Sequence, residues 1–100
     1  MEKTIKIDWD GKDADVVMRR LSFGERNRLL QSATKISIFG GQEKIEVNQV
    51  ALMENSLLKG IKSAPFEVNS TTIQNLDADV GNLLYQEFNV INNLTPEKKD

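Results

Sequence analysis

The chain contains no cysteine and no histidine among its 100 residues. Without cysteine it has no disulfide, no thiolate metal site and no cysteine nucleophile. Without histidine it lacks the usual general base of enzymes and the commonest protein ligand of transition metals. Catalysis would need paired carboxylates, an activated lysine, or a metal held by aspartate and glutamate alone, and no motif indicates such a site. We expect a protein that is not an enzyme and that binds no cofactor and no metal.

Long apolar segments and a strong net charge are also missing. No uninterrupted apolar run is long enough to cross a bilayer, and the first residues lack the apolar region of a signal peptide. The formal net charge of -2 is unlike that of general nucleic-acid-binding proteins, which are usually basic. We therefore expect a cytoplasmic protein whose partners include neither membranes nor nucleic acids.

What is present is the composition of an ordinary globular protein, with 39% hydrophobic and 28% charged residues. A chain of 100 residues is large enough for one modest core. The patterns described below predict a single α+β domain over residues 1–95, in which an N-terminal β-hairpin packs against about three α-helices. Residues 96–100 are expected to form a charged C-terminal tail.

The first pattern is that of a β-hairpin. Ile5, Ile7 and Trp9 alternate with charged residues, as in a strand that buries one face. Asp10-Gly11 follows, a dipeptide preferred in tight hairpin turns because both positions accept a positive φ. Residues 15–21 can return as the second strand. Four aspartates around the turn lack the spacing of an EF-hand loop, and we interpret them as a solvated acidic turn.

A first helix is predicted directly after the hairpin. Ser22-Phe23-Gly24-Glu25 has the spacing of a capping box, in which the serine accepts from the third helical amide and the glutamate reaches back. The helix should continue to about Ala33, with Phe23 facing inward. Residues 35–47 leave two alternatives open, a second short hairpin around Gly40-Gly41 or a mobile loop. We favour a partly ordered loop, because two short strands alone are marginally stable.

A second helix is predicted from its N-cap, Asn48, to about Lys62. It should stop before Pro65, because a residue that precedes proline disfavours the α region. Leu52 falls on the polar side of this helix. The predicted apolar side consists of Val47, Val50, Met53, Leu57, Leu58, Ile61 and Ala64.

The last helix is predicted from Asp77, its N-cap, to Leu94, after a short helical turn over residues 70–76. Thr95-Pro96 should end it, because proline has no amide to donate. The opposite, polar sector includes Asn92. The broad apolar sector consists of Val80, Leu83, Leu84, Phe88, Val90, Ile91 and Leu94.

Three charged residues fall on the predicted apolar faces of the helices, namely Arg26, Glu54 and Glu87. Leaving a buried charge unpaired destabilises a protein by roughly 3–5 kcal/mol. We therefore predict a structural ion pair of Arg26 with Glu54 or Glu87 where the helices meet, since the planar guanidinium can hold one carboxylate or bridge two. The alternative is that these faces remain accessible and bind another protein.

Another three residues are apolar or aromatic in polar surroundings. Leu52 and Tyr85 lie on the predicted polar sides of their helices, and Phe39 lies beside two glycines. We predict that Phe39, Leu52 and Tyr85 contribute to self-association or to contact with a protein partner. A homo-oligomer is the expected state of the protein.

Several segments, taken in chain order, form a series with a recognisable pattern. They are Ile5-Lys6-Ile7-Asp8-Trp9-Asp10-Gly11-Lys12, Leu21-Ser22-Phe23-Gly24-Glu25, Leu57-Leu58-Lys59-Gly60-Ile61, Ala64-Pro65-Phe66, Gly81-Asn82-Leu83-Leu84 and Ile91-Asn92-Asn93-Leu94. This series resembles the pattern of the small tail assembly chaperones of long-tailed phages and related archaeal viruses. Nearly the whole chain takes part in the resemblance.

The resemblance implies a protein without catalytic residues that coats the tape measure protein and brings tail-tube subunits to it. Members of this family often have a longer, frameshifted form, and Lys98-Lys99 is compatible with a slippery coding run. The implied partners are the tape measure and tail-tube proteins. Two alternatives stay open, a minor structural tail protein and a small nucleic-acid-binding regulator that uses Arg19, Arg20, Arg26 and Arg28.

Overall fold

The computed structural model describes residues 1–92, and for residues 35–39 and 42–45 it describes the backbone alone. The predicted α+β class is confirmed. The predicted tail, residues 96–100, lies outside the described residues. The elements follow in the order β1 (Glu2–Trp9), β2 (Lys12–Arg19), α1 (Phe23–Ser32), β3 (Thr34–Phe39), β4 (Gln42–Val47), α2 (Gln49–Gly60), β5 (Ile61–Ser63), α3 (Ser70–Gln74) and α4 (Ala78–Asn92).

The N-terminal hairpin forms as predicted and gains a third strand. β1 and β2 pair antiparallel with Ile5 opposite Val16. At the turn, Asp10 and Gly11 have φ angles of 54° and 76°, and a two-residue type I′ turn requires positive values at both positions. β5 pairs antiparallel with the other edge of β2, which gives the strand order β1-β2-β5.

The second helix ends earlier than the sequence predicted, and the residues that it releases form β5. α2 stops at Gly60 rather than near Lys62, and the chain continues in extended conformation along β2. The edge of β2 supplies hydrogen-bond partners for the backbone N–H and C=O groups that would have been paired within a longer helix. At the break, Gly60 lies so close to α4 that a Cβ atom added to it would be 2.4 Å from Phe88 Cδ2.

Residues 34–47 form a second hairpin, so the expectation of a partly ordered loop is wrong. β3 and β4 pair antiparallel and make a separate two-stranded sheet. Gly40 and Gly41 both have positive φ angles, which allows the tight turn between the strands. At the base of the hairpin, the Asn48 amide donates to the Ala33 carbonyl at 2.8 Å, so the two ends are held together.

The core lies between the inner face of the three-stranded sheet and the helices α1, α2 and α4. α4 packs against both β1 and α2, whereas α1 and α3 each pack against α2. Trp9 and Phe66 cover one end of the core with their ring centroids 5.1 Å apart. The large apolar side chains with almost no exposed surface are Val16, Met18, Leu29, Leu84 and Phe88.

The buried faces of the helices are narrower than predicted. On α4 the buried residues are Leu84, Phe88 and Asn92, each four positions after the last. Val90, from the predicted apolar sector, is 72% exposed. When a helix packs against its neighbours along one row of side chains, only that row is buried. On α1, Phe23 was expected to face inward but is 79% exposed.

Asn92 ties the last turn of α4 to the junction between β2 and α1. Its Oδ1 accepts a hydrogen bond from the Leu21 amide at 2.6 Å, and its Nδ2 donates to the carbonyls of Arg19 and Phe88 at 3.4 and 3.3 Å. The sequence predicted Asn92 on the polar side of the helix, yet it is buried. A buried amide is stable here because its oxygen and nitrogen both have partners.

α1 begins with the predicted capping box. Ser22 Oγ accepts from the Glu25 amide at 3.2 Å, and Glu25 Oε1 accepts from the Ser22 amide at 3.1 Å. Arg19 Nη2 also donates to Glu25 Oε2 at 2.7 Å. The hydrogen bond from Arg19, followed by that from the Ser22 amide, lowers the pKa of Glu25 to about 2. These bonds fix the first turn of α1 on the end of β2.

Candidate protein-binding groove

Neither Glu54 nor Glu87 pairs with Arg26 as predicted, because both have other partners among the described residues. Glu87 on α4 instead accepts from Lys3 on β1 at 2.5 Å, because α4 packs across that strand. Glu54 on α2 accepts hydrogen bonds from two side chains of α3. Arg26 is half-buried on α1, and α1 packs on a different side of α2 from α3.

The three predicted contact residues lie in different environments. Leu52 is 8% exposed and belongs to the core, so its prediction as a surface contact is wrong. Tyr85 is half-buried, and its hydroxyl accepts a hydrogen bond from Gln49 Nε2 at 3.1 Å. The side chain of Phe39 lies outside the described residues. For Tyr85 and Phe39 the contact stays a prediction.

A groove of about 370 Å³ opens between α2, α3 and the first turn of α4. Its floor is apolar, with Leu57 and Ile73 buried and Met53 and Leu76 half-buried. Val50 lies at its mouth and is 73% exposed. A concave apolar surface of this kind is suited to receive an apolar side chain of another molecule.

Two capped helix starts build the walls of this groove. Asn69 Oδ1 accepts from the Thr72 amide at 2.8 Å and starts α3. Asp77 Oδ2 accepts from the Asp79 amide at 3.2 Å at the start of α4. α3 is short, and it is anchored by Ile73, whose side chain is buried. The short α3 covers one side of α2 incompletely, and the groove is the part left uncovered.

The rim of the groove carries negative charge. Glu54 and Asp77 line it together with the amide side chains of Gln74 and Asn82, and no described lining residue is lysine or arginine. Hydrogen bonds from Ser70 first, and then from Gln74, lower the pKa of Glu54 below its ordinary value. Glu54 is therefore ionised at neutral pH. The groove favours a partner whose apolar side chain is accompanied by positive charge.

Gly81 lines the groove without a side chain. It lines the groove as the fourth residue of α4, and a Cβ atom added to it would meet no other atom within 4 Å. Glycine within a helix is less favourable than alanine by up to about 1 kcal/mol, and no packing contact requires it here. Gly60, in contrast, has no room for a Cβ beside Phe88. Core packing therefore does not explain the glycine at position 81.

The groove residues of α2 were predicted only as part of the apolar, core-facing side of that helix. Val50, Met53 and Leu57 were on the predicted apolar side of the helix, and periodicity does not tell whether a neighbour covers that side. Leu52 is buried instead. The side of α2 that packs against α4 and α1 carries Leu52, Ser56 and Gly60, which are four residues apart. The signal that was available is Gly81, a helical glycine next to apolar residues with no turn to form.

Within residues 1–92, no helix has the length and apolar character needed to cross a membrane. Among the side chains that the structure describes, no cluster of three or more acidic groups could bind a metal ion. Comparison with protein-family models, with curated proteins and with solved structures finds no match to this chain. The basis for a function is therefore the groove together with the sequence motifs.

Proposed function

We propose that this protein is a non-enzymatic assembly factor, similar to the viral tail assembly chaperones that its sequence resembles. In this role it binds the tape measure protein, tail-tube subunits or both in the cytoplasm of the host cell. The single observation that carries the proposal is the uncovered apolar groove between α2, α3 and α4, with Val50 exposed at its mouth. Apolar surface rimmed by polar residues is typical of sites that bind other proteins.

The groove can supply the binding energy for such an assembly. Burying one valine, leucine or phenylalanine side chain of a partner contributes about 1.5–3 kcal/mol. A few side chains of this kind give a complex that forms and dissociates reversibly, as an assembly factor requires. A protein that coats a longer partner also needs a contact between neighbouring copies, and an apolar groove is suited to that contact too.

Co-expression with the tape measure and tail-tube proteins encoded in the same genome tests this function. We expect at least one of them to copurify with the wild-type protein. Val50→Lys should reduce the recovered amount, because it places a cation and a long side chain at the mouth of the groove. Val90→Lys is the matched control, since Val90 is 72% exposed on α4 and does not line the groove.

The folded state of each variant is checked by circular dichroism before the capture is compared. Recovery of neither protein with folded wild type would refute the proposed function. Equal losses with the two lysine variants would show that the groove has no special part in capture.

A further inference from the structure

Phe23 is a large aromatic side chain that the fold leaves in solvent. It is the first residue of α1 and is 79% exposed. The capping box of Ser22 and Glu25 fixes the start of the helix, and so it fixes the direction in which the ring projects. Arg20, three residues before it, and Arg28, farther along the same helix, are both exposed. Residues 19–28, which include the start of α1, carry four arginines and one glutamate, so the exposed ring belongs to a basic segment of the chain.

The groove has the complementary properties. Its floor is apolar, and its volume of about 370 Å³ is large enough for a phenyl ring. Its rim carries the carboxylates of Glu54 and Asp77, and its lining residues in the described part of the chain include no cation. Aromatic side chains bury more apolar surface than most residues and dominate the energetics of many interfaces.

The ring and the groove of one chain lie on different sides of α2. α1 packs on the side of Asn55, whose Nδ2 donates to Ser32 Oγ at 3.2 Å. The groove uses the side of Val50 and Met53. Phe23 does not line the groove of its own chain, and its exposure shows that no other described residue covers it.

We infer that Phe23 of one copy inserts into the groove of a second copy of this chain. The basic segment around this ring then approaches the acidic rim that Glu54 and Asp77 form. The inference rests on the proposed role of the groove as a protein-binding surface, and it names the occupant. Each joined pair still has one free groove and one free ring, so copies add head to tail instead of closing as a two-fold dimer.

Sedimentation velocity of the full chain at increasing concentration tests the inference. The series extends to about 1 mM, since a contact of this size belongs to the weak, transient class. We expect the mean mass of wild type and of Val90→Lys to rise with concentration. Phe23→Ala and Val50→Lys should each weaken the association constant by about tenfold or more, because one removes the central side chain and the other blocks its pocket. Added salt should weaken it too, because it screens the charges at the rim.

Gly81→Leu blocks the groove in a second way. The new side chain occupies the open space above Gly81 without adding a charge, and it replaces a poor helix former with a good one. We expect this variant to be monomeric and at least as stable as wild type. A loss of association together with retained stability separates blocking of the groove from damage to the fold.

A mixture of two variants identifies the contact itself. Phe23→Ala keeps the groove and lacks the ring, whereas Val50→Lys keeps the ring and has a blocked groove. Each variant alone should be monomeric. One intact contact remains between them, so the mixture should form a dimer with one copy of each variant and no larger species.

Two results would overturn the inference. The first is wild-type protein that stays monomeric at the highest concentration. The second is a mixture that stays monomeric although wild type associates, because the contact then uses other surfaces. Capture of tape measure or tail-tube protein by a monomer would contradict this inference and leave the proposed function standing. Head-to-tail oligomers that capture neither protein would support this inference and refute the proposed function.

Discussion

Gly60 allows the packing of α2 against α4 to be tested with a single methyl group. A Cβ atom at this position would lie 2.4 Å from Cδ2 and 2.5 Å from Cε2 of Phe88. Carbon atoms in contact are normally about 3.5–4.0 Å apart, so one of the two groups must move by about 1 Å. The Phe88 ring has no exposed surface, and it can shift only by displacing other core side chains.

The expected cost of Gly60→Ala follows from two opposing terms. Inserting a methyl group into a packed core destabilises by about 1–3 kcal/mol. Replacing a helical glycine by alanine stabilises the folded state by at most about 1 kcal/mol. We therefore expect a net loss of about 1–2 kcal/mol, which corresponds to a fall in Tm of about 5–15 °C for a domain of this size. Thermal and urea unfolding followed by circular dichroism measure both quantities.

Gly81→Ala is the matched control, because the same methyl group at Gly81 meets open space. It should leave Tm unchanged or raise it. The cost of Gly60→Ala should also shrink when Phe88 is replaced by leucine, since the two changes share one contact. Gly60→Ala with wild-type stability, or with the same cost in both backgrounds, would refute the close approach of α2 and α4.

Two further predictions concern polar contacts that hold the elements in place. Asn92→Ala should destabilise by about 1–3 kcal/mol, because it leaves the buried Leu21 amide without its acceptor. Asn82→Ala on the exposed side of α4 should change stability by less than about 0.5 kcal/mol in the same urea titration. Glu25 has a pKa lowered from 4.5 to about 2, so its ionised form stabilises the folded state above pH 4.5 and this contribution disappears as the pH falls toward 2. The difference in Tm between wild type and Glu25→Gln should follow that window, and a difference independent of pH would contradict the role of the hydrogen bond from Arg19.

The partners of Glu54 and Glu87 show which part of a charge contact can be predicted from sequence and which cannot. Periodicity placed Glu54 and Glu87 on the helix faces that neighbouring elements approach. It could not identify those partners, because the choice depends on the direction in which the helices cross. α4 crosses β1 and brings Glu87 to Lys3, and α3 brings its polar side chains to Glu54.

The features that depend on a few consecutive residues could be predicted from local sequence signals. Asp10-Gly11 specifies the first turn, and the capping box at Ser22 specifies the start of α1. Asn48 specifies the start of α2 in the same way. These signals act through backbone hydrogen bonds and φ angles within about one turn, so no distant residue is needed to interpret them. They are also sufficient for the α+β class.

Packing between distant parts of the chain sets which side of each helix is covered. It placed Leu52 and Asn92 in the interior, and it left Val50 and Phe23 in solvent. It also ended α2 at Gly60, because the edge of β2 was free to accept another strand. Burial depends on which element lies opposite, and that is set by packing between residues far apart in the chain. The groove is a product of the same packing, since α3 is too short to cover the side of α2 that the sequence marks as apolar.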